Sequence, residues 1–396
     1  MKFDKSIYYH CRKQMNGKIL LSTDIPLMST VRLENIIESV LKSYTLLVGR
    51  YILAVAVLSL ISCKMQRKET ITTAREDQLK GHPVEKIDSS IWAIHHDKKG
   101  SLWFGSNGKG IYRYNGKSLE QFTVKDGLAG DQIRGIEEDH KGNLFFNTTG
   151  GITKFDGTGF TTLNPVRAPR SLWRLQPDDI WFKGSNERAS ALRYDGETLY
   201  HLEFSDFDAG RAGPAYDVYS LYRDKAGNIW FGTLFGGVCK FDGNGLQWIF
   251  EGEMKPLDDG RVPGIRSILE DSDGHFWFSN ILYKYRVRLP DFPGQIDLKY
   301  TRLEAMAKTQ QNPTMQLPYY TSAITDQENI WMTNYNEGIW KYDGTKLTNY
   351  RIRVGAKNVL VMTVYLDRDG GIWVGTDNDG VYKFNSKDFE KFHFHH

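Results

Sequence analysis

The chain has 396 residues, of which 40% are hydrophobic and 25% charged, so it can bury a sizeable core and is neither wholly disordered nor fibrous. Its 38 Gly, 10 Trp, 21 Tyr and 21 Phe against 12 Pro favour many short strands joined by tight turns over an all-helical fold. Of the formal charge of +3, the excess sits before Cys63, where eight basic and four acidic residues lie; the remainder carries 43 basic against 44 acidic residues. A nearly neutral body lacks the basic face that displaces phosphate counterions, which argues against nucleic-acid binding.

In chain order, the first feature is the apolar run Tyr51 to Ile61, preceded by Lys42 and Arg50 and followed by Ser62, Cys63 and a polar stretch. This is signal-peptide anatomy. The text Leu60-Ile61-Ser62-Cys63 resembles a bacterial lipobox, which implies that Cys63 is diacylated and becomes the mature N-terminus. An uncleaved anchor is the alternative, although Arg50 interrupts the apolar stretch and about 20 clean residues are needed to span a bilayer. Either way the body is expected to be exported. Met28 offers a second start that leaves a leader of more usual length. We expect residues 1–62 to form an N-terminal extension and signal peptide, 63–88 a lipid-anchored flexible tether rich in Lys, Arg, Glu, Gln and Thr, and 89–396 the folded body.

From Ile91 onward one unit recurs. Its anchor aromatic returns as Trp103, Phe145, Trp181, Trp230, Trp277, Trp331 and Trp373, at gaps of 36 to 54 residues and about 43 residues per unit. That is the period of a four-stranded propeller blade. An Asn-Gly or Asp-Gly pair follows the anchor at Asn115-Gly116, Asp156-Gly157, Asp195-Gly196, Asp242-Gly243 and Asp343-Gly344. Such pairs tolerate positive φ at both central positions and close two-residue hairpins. In the first unit the pattern predicts strands at about Ile91–His95, Ser101–Gly105, Gly110–Tyr114 and Leu119–Thr123. An Asp-x-x-Gly turn marks the first hairpin at Asp97, Asp224, Asp271 and Asp367. One blade cannot bury both of its faces, so the units must stack into a closed all-β, seven-bladed propeller of four-stranded antiparallel blades, with the anchors between them. The segment Val84 to Ile87 is a candidate for a strand borrowed in ring closure.

The runs Gly227-Asn228-Ile229-Trp230-Phe231-Gly232-Thr233 and Gly236-Gly237-Val238-Cys239-Lys240-Phe241-Asp242-Gly243 resemble the two-component regulator propeller repeat, a likeness that covers Ile91 to Phe394. The resemblance implies the extracytoplasmic sensing part of hybrid two-component systems or a stand-alone exported relative. The chain is closer to the stand-alone kind, since no kinase core or receiver text follows the seventh unit. The fifth unit departs from the pattern, with an irregular stretch from Val287 to Pro318 in place of an Asp-Gly hairpin.

No motif for catalysis, metal or cofactor survives inspection, and none is expected. Gly116-Lys117-Ser118 imitates the end of a phosphate loop, but the first glycine is missing at Ile111 and a strand follows. Asp271-Ser272-Asp273-Gly274 and Asp377-Asn378-Asp379-Gly380 read as turn caps, because an EF-hand requires a glycine sixth and a Glu twelfth. His95 and His96 read as exposed strand-end residues, and Cys239 as a small buried hydrophobe.

One positional pattern remains. Aligning each first strand on its Ile, Leu or Val puts Trp92, Arg134, Trp173, Tyr219, Arg266, Ser322 and Met362 two residues earlier. Innermost strands all start on one side of a propeller, so these positions either ring one mouth of the channel or pack between blades. Trp, Tyr and Arg contribute most contact energy per residue, which makes Trp92, Arg134, Trp173, Tyr219 and Arg266 the candidate ligand-binding set. The expected function is an extracytoplasmic ligand- or protein-binding propeller, with sensing or carbohydrate recognition implied by the resemblance and an unknown ligand, such as a glycan, or an envelope protein as partner. The alternative is a propeller lyase or hydrolase with scattered catalytic residues at the channel mouth.

Overall fold

The computed structural model describes residues 79–169, 173–184, 190–203, 218–234, 236–250, 254, 264–279, 283–288, 291, 295–304, 320–326, 328–335 and 337–394. The leader, the lipid-attachment candidate Cys63 and most of the expected tether lie outside the described residues. The compact unit described here spans Gln78–His396.

It is a seven-bladed propeller of four-stranded antiparallel blades. Blade 1 runs Ile91–His96, Leu102–Ser106, Ile111–Tyr114 and Leu119–Phe122, within a residue of the strands read from the sequence. The innermost strands of blades 2, 4, 5, 6 and 7 are Ile133–Glu138, Val218–Arg223, Ile268–Glu270, Ser322–Thr325 and Val361–Leu366. Blade 3 is irregular: Ile180–Lys183, Ser190–Tyr194 and Leu199–Glu203 are antiparallel, and the short strand Val166–Arg167 adds in parallel on the outer edge. In the fifth blade part of the expected irregular stretch is regular, while residues 289–290, 292–294 and 305–318 of it lie outside the described residues. Tyr300–Glu304 pairs with Tyr283–Val287 as a regular outer strand, and residues 295–298 reach sideways, where Trp248 of blade 4 donates to the Ile296 carbonyl at 2.7 Å and accepts from Leu298 at 2.8 Å.

The anchors fill the interfaces between blades, and they bring a polar requirement with them, since a buried indole N–H needs an acceptor. Except in blade 3, where the buried Trp181 indole N–H has no acceptor among the described residues and Asp179 takes Arg193, the acceptor for each Trp anchor is the turn-capping Asp. The indole nitrogens of Trp103, Trp230, Trp277, Trp331 and Trp373 donate to Asp97, Asp224, Asp271, Asp326 and Asp367 at 2.7 to 2.9 Å. The same carboxylates cap the first-hairpin turn, as where Asp224 accepts from the Asn228 backbone at 2.8 Å. In blade 2 the anchor is Phe145, which has no N–H, and the equivalent Asp139 oxygen takes the Asn143 side chain at 2.6 Å instead.

Glycines on the second strand let adjacent blades approach closely. A Cβ on Gly105 would lie 2.7 Å from Ile133 of blade 2, and one on Gly232 would lie 2.5 Å from the Ile265 carbonyl oxygen leading into blade 5. At the joint between blades 7 and 1, a Cβ on Gly375 would lie 2.5 Å from the Ile91 carbonyl oxygen. That joint closes without strand exchange. Blade 7 owns all four of its strands, and the Gly380 amide donates to the Ser89 carbonyl at 2.8 Å just as the Gly110 amide donates to Asp131 between blades 1 and 2. Segment 79–88, expected at the end of the tether, runs along blade 1 instead: His82–Pro83 pairs with its outermost strand, and Val84 and Ile87 pack on the core. From the other end, Phe392 meets Trp373 edge-on with ring centroids 4.8 Å apart, and Phe394 meets Phe104 and Tyr114 at 5.5 and 5.1 Å.

Candidate functional site

A feature shared by the innermost strands shapes the channel. In blades 1, 2, 4 and 7 the pairing with the second strand slips by one residue, between Ile91 and Ala93, Ile133 and Gly135, Val218 and Ser220, and Val361 and Thr363. Each slip is a β-bulge whose extra residue is Trp92, Arg134, Tyr219 or Met362. A bulge leaves its extra residue unpaired and re-aims its side chain. Apolar residues on either side of it, such as Ile91 and Ile94, stay buried in the core.

All four bulged residues line one cavity of about 480 Å³ at the mouth where the innermost strands begin, together with Arg266, Asn147, Lys183, Thr321 and Tyr335. Of the five residues proposed from the sequence, the structure therefore brings Trp92, Arg134, Tyr219 and Arg266 together. Trp173 goes elsewhere. It is 4% exposed and packs between blades 3 and 4, edge-on to Phe241 at 5.6 Å, within a cluster that includes Trp181 and Phe231. Ser322 lines a second cavity of about 360 Å³ that shares much of this lining.

Several of these side chains are held in place. The Trp92 indole donates to Asp377 of blade 7 at 2.9 Å, an oxygen that also takes Ser90 at 2.6 Å. The Arg266 guanidinium lies over the Tyr219 ring at 4.6 Å, a cation–π arrangement that fixes both. Asn147 donates to the Lys183 carbonyl at 3.2 Å.

Lys183 and Glu137 also line the channel, and the sequence reading did not single them out. Lys183 occupies the second-strand position where blades 1, 4 and 7 carry Gly105, Gly232 and Gly375. Glu137 lines the 360 Å³ cavity, where water reaches it but protein surrounds the channel on every side. Loss of bulk solvent pushes the Glu137 carboxyl up to about 7, with Lys183 opposing the rise. The Lys183 ammonium is pulled below its ordinary value, first by burial and then by repulsion from Arg134 and Arg266, while Glu137 works against the fall.

The opposite end of the innermost strands is tied by a different set. His95 Nε2 and Glu138 Oε2 are 3.2 Å apart, Arg368 lies 3.7 Å from the same carboxylate, and the Lys98 amide donates to it. Burial lowers the His95 pKa, partly offset by Glu138. His95 and His96 are thus half-buried rather than exposed. Two trios of metal-ligating side chains, His96 with Asp367 and Asp369, and Asp271 with Asp273 and His275, bring one atom each within 4.8 Å. Asp367 and Asp271 already accept an indole and turn amides, so both trios contain a carboxylate committed to the fold. Cys239 is wholly buried in the strand Gly237–Phe241.

Fold and mouth together define a seven-bladed propeller that displays aromatic and cationic side chains around one opening of its channel. Residues 86–108, 212–235 and 355–378 match the two component regulator propeller family. The matched stretches begin blades 1, 4 and 7. No curated protein matches it in sequence. Among solved structures, the extracellular domain of the hybrid two component system BT4673 from B. thetaiotaomicron aligns with a TM-score of 0.52 and 22% identity, over 77% of this chain and 39% of that one. The chain thus spans about two fifths of that domain's length. Virginiamycin B lyase from Staphylococcus aureus aligns with a TM-score of 0.52 and 15% identity, over 76% and 96% of the two chains. PorZ, a surface component of the type-IX secretion system of Porphyromonas gingivalis, aligns at 0.54 and 14%, over 75% and 46%. At these identities the likeness is one of fold.

Proposed function

We propose that the protein is an exported binding propeller, tethered through a lipid on Cys63, whose channel mouth recognises a ligand or a projecting part of an envelope protein in a sensing or carbohydrate-related role. The observation that carries this reading is the use of bulges: Trp92, Arg134 and Tyr219 are turned out of the interblade core into one cavity. Trp and Tyr present flat apolar faces and Arg a forked donor, the side chains that dominate recognition sites. Export is supported by the leader-like run Tyr51 to Ile61 and by a shared fold with the extracellular domain of BT4673 and the surface component PorZ.

Printed glycans probed with the full chain are expected to yield a restricted set of binders that Trp92→Ala or Tyr219→Ala loses while the melting temperature stays within a few degrees of wild type. Indifference of the binding profile to both substitutions would remove the mouth as the site. A second reading, catalysis at the same mouth, is favoured by Glu137 and Lys183, whose pKa values are displaced in opposite directions in one channel, as acid–base pairs often are. That reading requires turnover of a bound ligand, whereas recognition does not.

A further inference from the structure

Around the ring, the third strand of a blade ends at a fixed place. A Lys or Arg stands opposite the anchor, and two residues further the chain turns back into the fourth strand at Asn115, Asp156, Asp195, Asp242, Asp343 or Asn385. Each of these short side chains caps its own turn. Blade 5 departs from this. Phe276 pairs with Tyr285, which puts Lys284 opposite the anchor Trp277 and Arg286 at the turn position, yet the chain does not turn there. Arg286 pairs with Thr301 and Val287 with Tyr300, and the Arg288 amide donates to the Lys299 carbonyl at 2.8 Å. The third and fourth strands thus run on as a ribbon at the end of the propeller opposite the mouth. Arg286, Arg288 and Lys299 share one side of it, because residues two apart on a strand and residues directly opposite across a pair face the same way. All three are exposed.

The scaffold does not ask for these charges. Six blades close at this position with Asn or Asp, and blade 5 puts a guanidinium there and a second one two residues on. Both are steadied by neutral groups: Arg286 lies 3.3 Å from Nε2 of the buried His275, and Arg288 donates to Thr301 Oγ1 at 2.8 Å. Neither has a carboxylate within 4.0 Å among the described residues. Lys299 has Asp291 at 4.0 Å, an exposed contact that water screens. The undescribed residues in and just after this blade, 280–282, 289–290, 292–294 and 305–319, contain no Asp or Glu. Those of the propeller that do, in 185–189, 204–217, 251–253 and 255–263, connect strand ends on the mouth side.

We infer that this ribbon docks an acidic, extended segment of a partner protein, with carboxylates two residues apart seated on Arg286 and Arg288 and a further one on Lys299. The spacing favours such a partner. Side chains two apart on a strand repeat every ~6.6 Å, and an extended peptide with Asp or Glu at alternate positions carries the same period, whereas a bilayer surface has none. Guanidinium forks already restrained by His275 and Thr301 lose little freedom on meeting a carboxylate. The contact lies at the far end of the channel and leaves the mouth open.

The test is fluorescence anisotropy of the full chain at low salt with two labelled octapeptides of equal charge, one alternating Glu and Thr, the other with all four Glu before the four Thr. The alternating peptide is expected to bind about tenfold more tightly than its isomer. Combining Arg286→Gln with Arg288→Gln is expected to abolish that preference and weaken binding about tenfold, while Lys387→Gln, on the corresponding turn of blade 7, leaves both unchanged; melting curves establish that each variant is folded. Equal binding of the two isomers, indifference to the double substitution, or no binding at millimolar peptide would overturn the inference. Retention on phosphatidylglycerol vesicles that the double substitution abolishes, with no peptide bound, would assign the ribbon to a membrane and overturn it as well.

Discussion

Asp224→Ala is expected to cost about 3 kcal/mol of unfolding free energy, because one short side chain serves three donors at once. Its carboxylate accepts from the Asn228 amide, the Asn228 side chain and the Trp230 indole, each at 2.8 Å. Alanine uncaps the turn and leaves the N–H of a fully buried Trp230 without an acceptor. Asp224→Asn keeps one acceptor oxygen and is expected to fall between alanine and wild type. Urea unfolding measures the difference, and Trp230→Phe supplies the control: with the indole N–H gone, the cost of Asp224→Ala should shrink by about 1 kcal/mol. Blade 2 already carries this arrangement, with Phe145 as anchor and Asp139 turned to Asn143. A cost below about 1 kcal/mol for Asp224→Ala in the wild-type background would show that the bond is incidental.

Gly375→Ala is expected to be comparably severe, for a different reason. A Cβ there would sit 2.5 Å from the Ile91 carbonyl oxygen, a backbone atom of the blade that completes the ring, so neither partner can rotate away. The blades must separate at the one joint that no covalent connection spans, and overpacking of this kind costs roughly 1 to 3 kcal/mol or more. Gly159, where nothing lies within 4 Å of the added carbon, is the matched comparison, and Gly159→Ala should be near neutral. Thermal unfolding of the two variants separates a steric wedge from a general effect of losing glycine; equal melting temperatures would mean that closure tolerates a wider joint.

These two sites illustrate which parts of the molecule could be read from its text. The seven anchors and the Asn-Gly and Asp-Gly hairpins were legible because they are local: each is a turn with a demanded backbone geometry, repeated at a fixed phase. The Asp-x-x-Gly turn was legible as a cap, but its second duty toward the anchor indole depends on where a side chain six residues away folds back. The outer strand Tyr300–Glu304 was hidden because it lies far along the chain from its partner Tyr283–Val287, with Ile296 and Leu298 bonded to Trp248 of blade 4, so no tight-turn signal joins the two.

At the mouth, the bulges leave a trace in the spacing. Buried apolar residues fall three apart rather than two or four at Ile91 and Ile94, Ile133 and Ile136, and Val361 and Val364, and the residue after the first of each pair is the one turned into the channel. The same spacing flanks Arg266, between Ile265 and Ile268. Trp173 misled because alignment alone gave it the same position, whereas a large apolar ring beside Trp181 and Phe241 is better buried between blades than exposed in a wet channel. Lys183 announced itself only as a lysine at a position that holds glycine in blades 1, 4 and 7 and the small polar residues Asn147, Ser279 and Thr333 in blades 2, 5 and 6, a departure visible once the blades are superposed. A repeat fold makes such departures informative, since the scaffold is specified several times over and a position that breaks the pattern answers to something besides the scaffold.

The claim on which the functional reading depends is that the channel mouth, and no other face, is where this protein meets its ligand. Amide hydrogen exchange of the full chain, with and without a saturating amount of a glycan that the printed-glycan screen shows it to bind, tests that most directly. The predicted result is added protection confined to the starts of the innermost strands around Trp92, Arg134, Tyr219 and Arg266 and to the end of the second strand at Lys183. Protection on the outer strands instead, or none at a concentration that titration shows to be saturating, would contradict it.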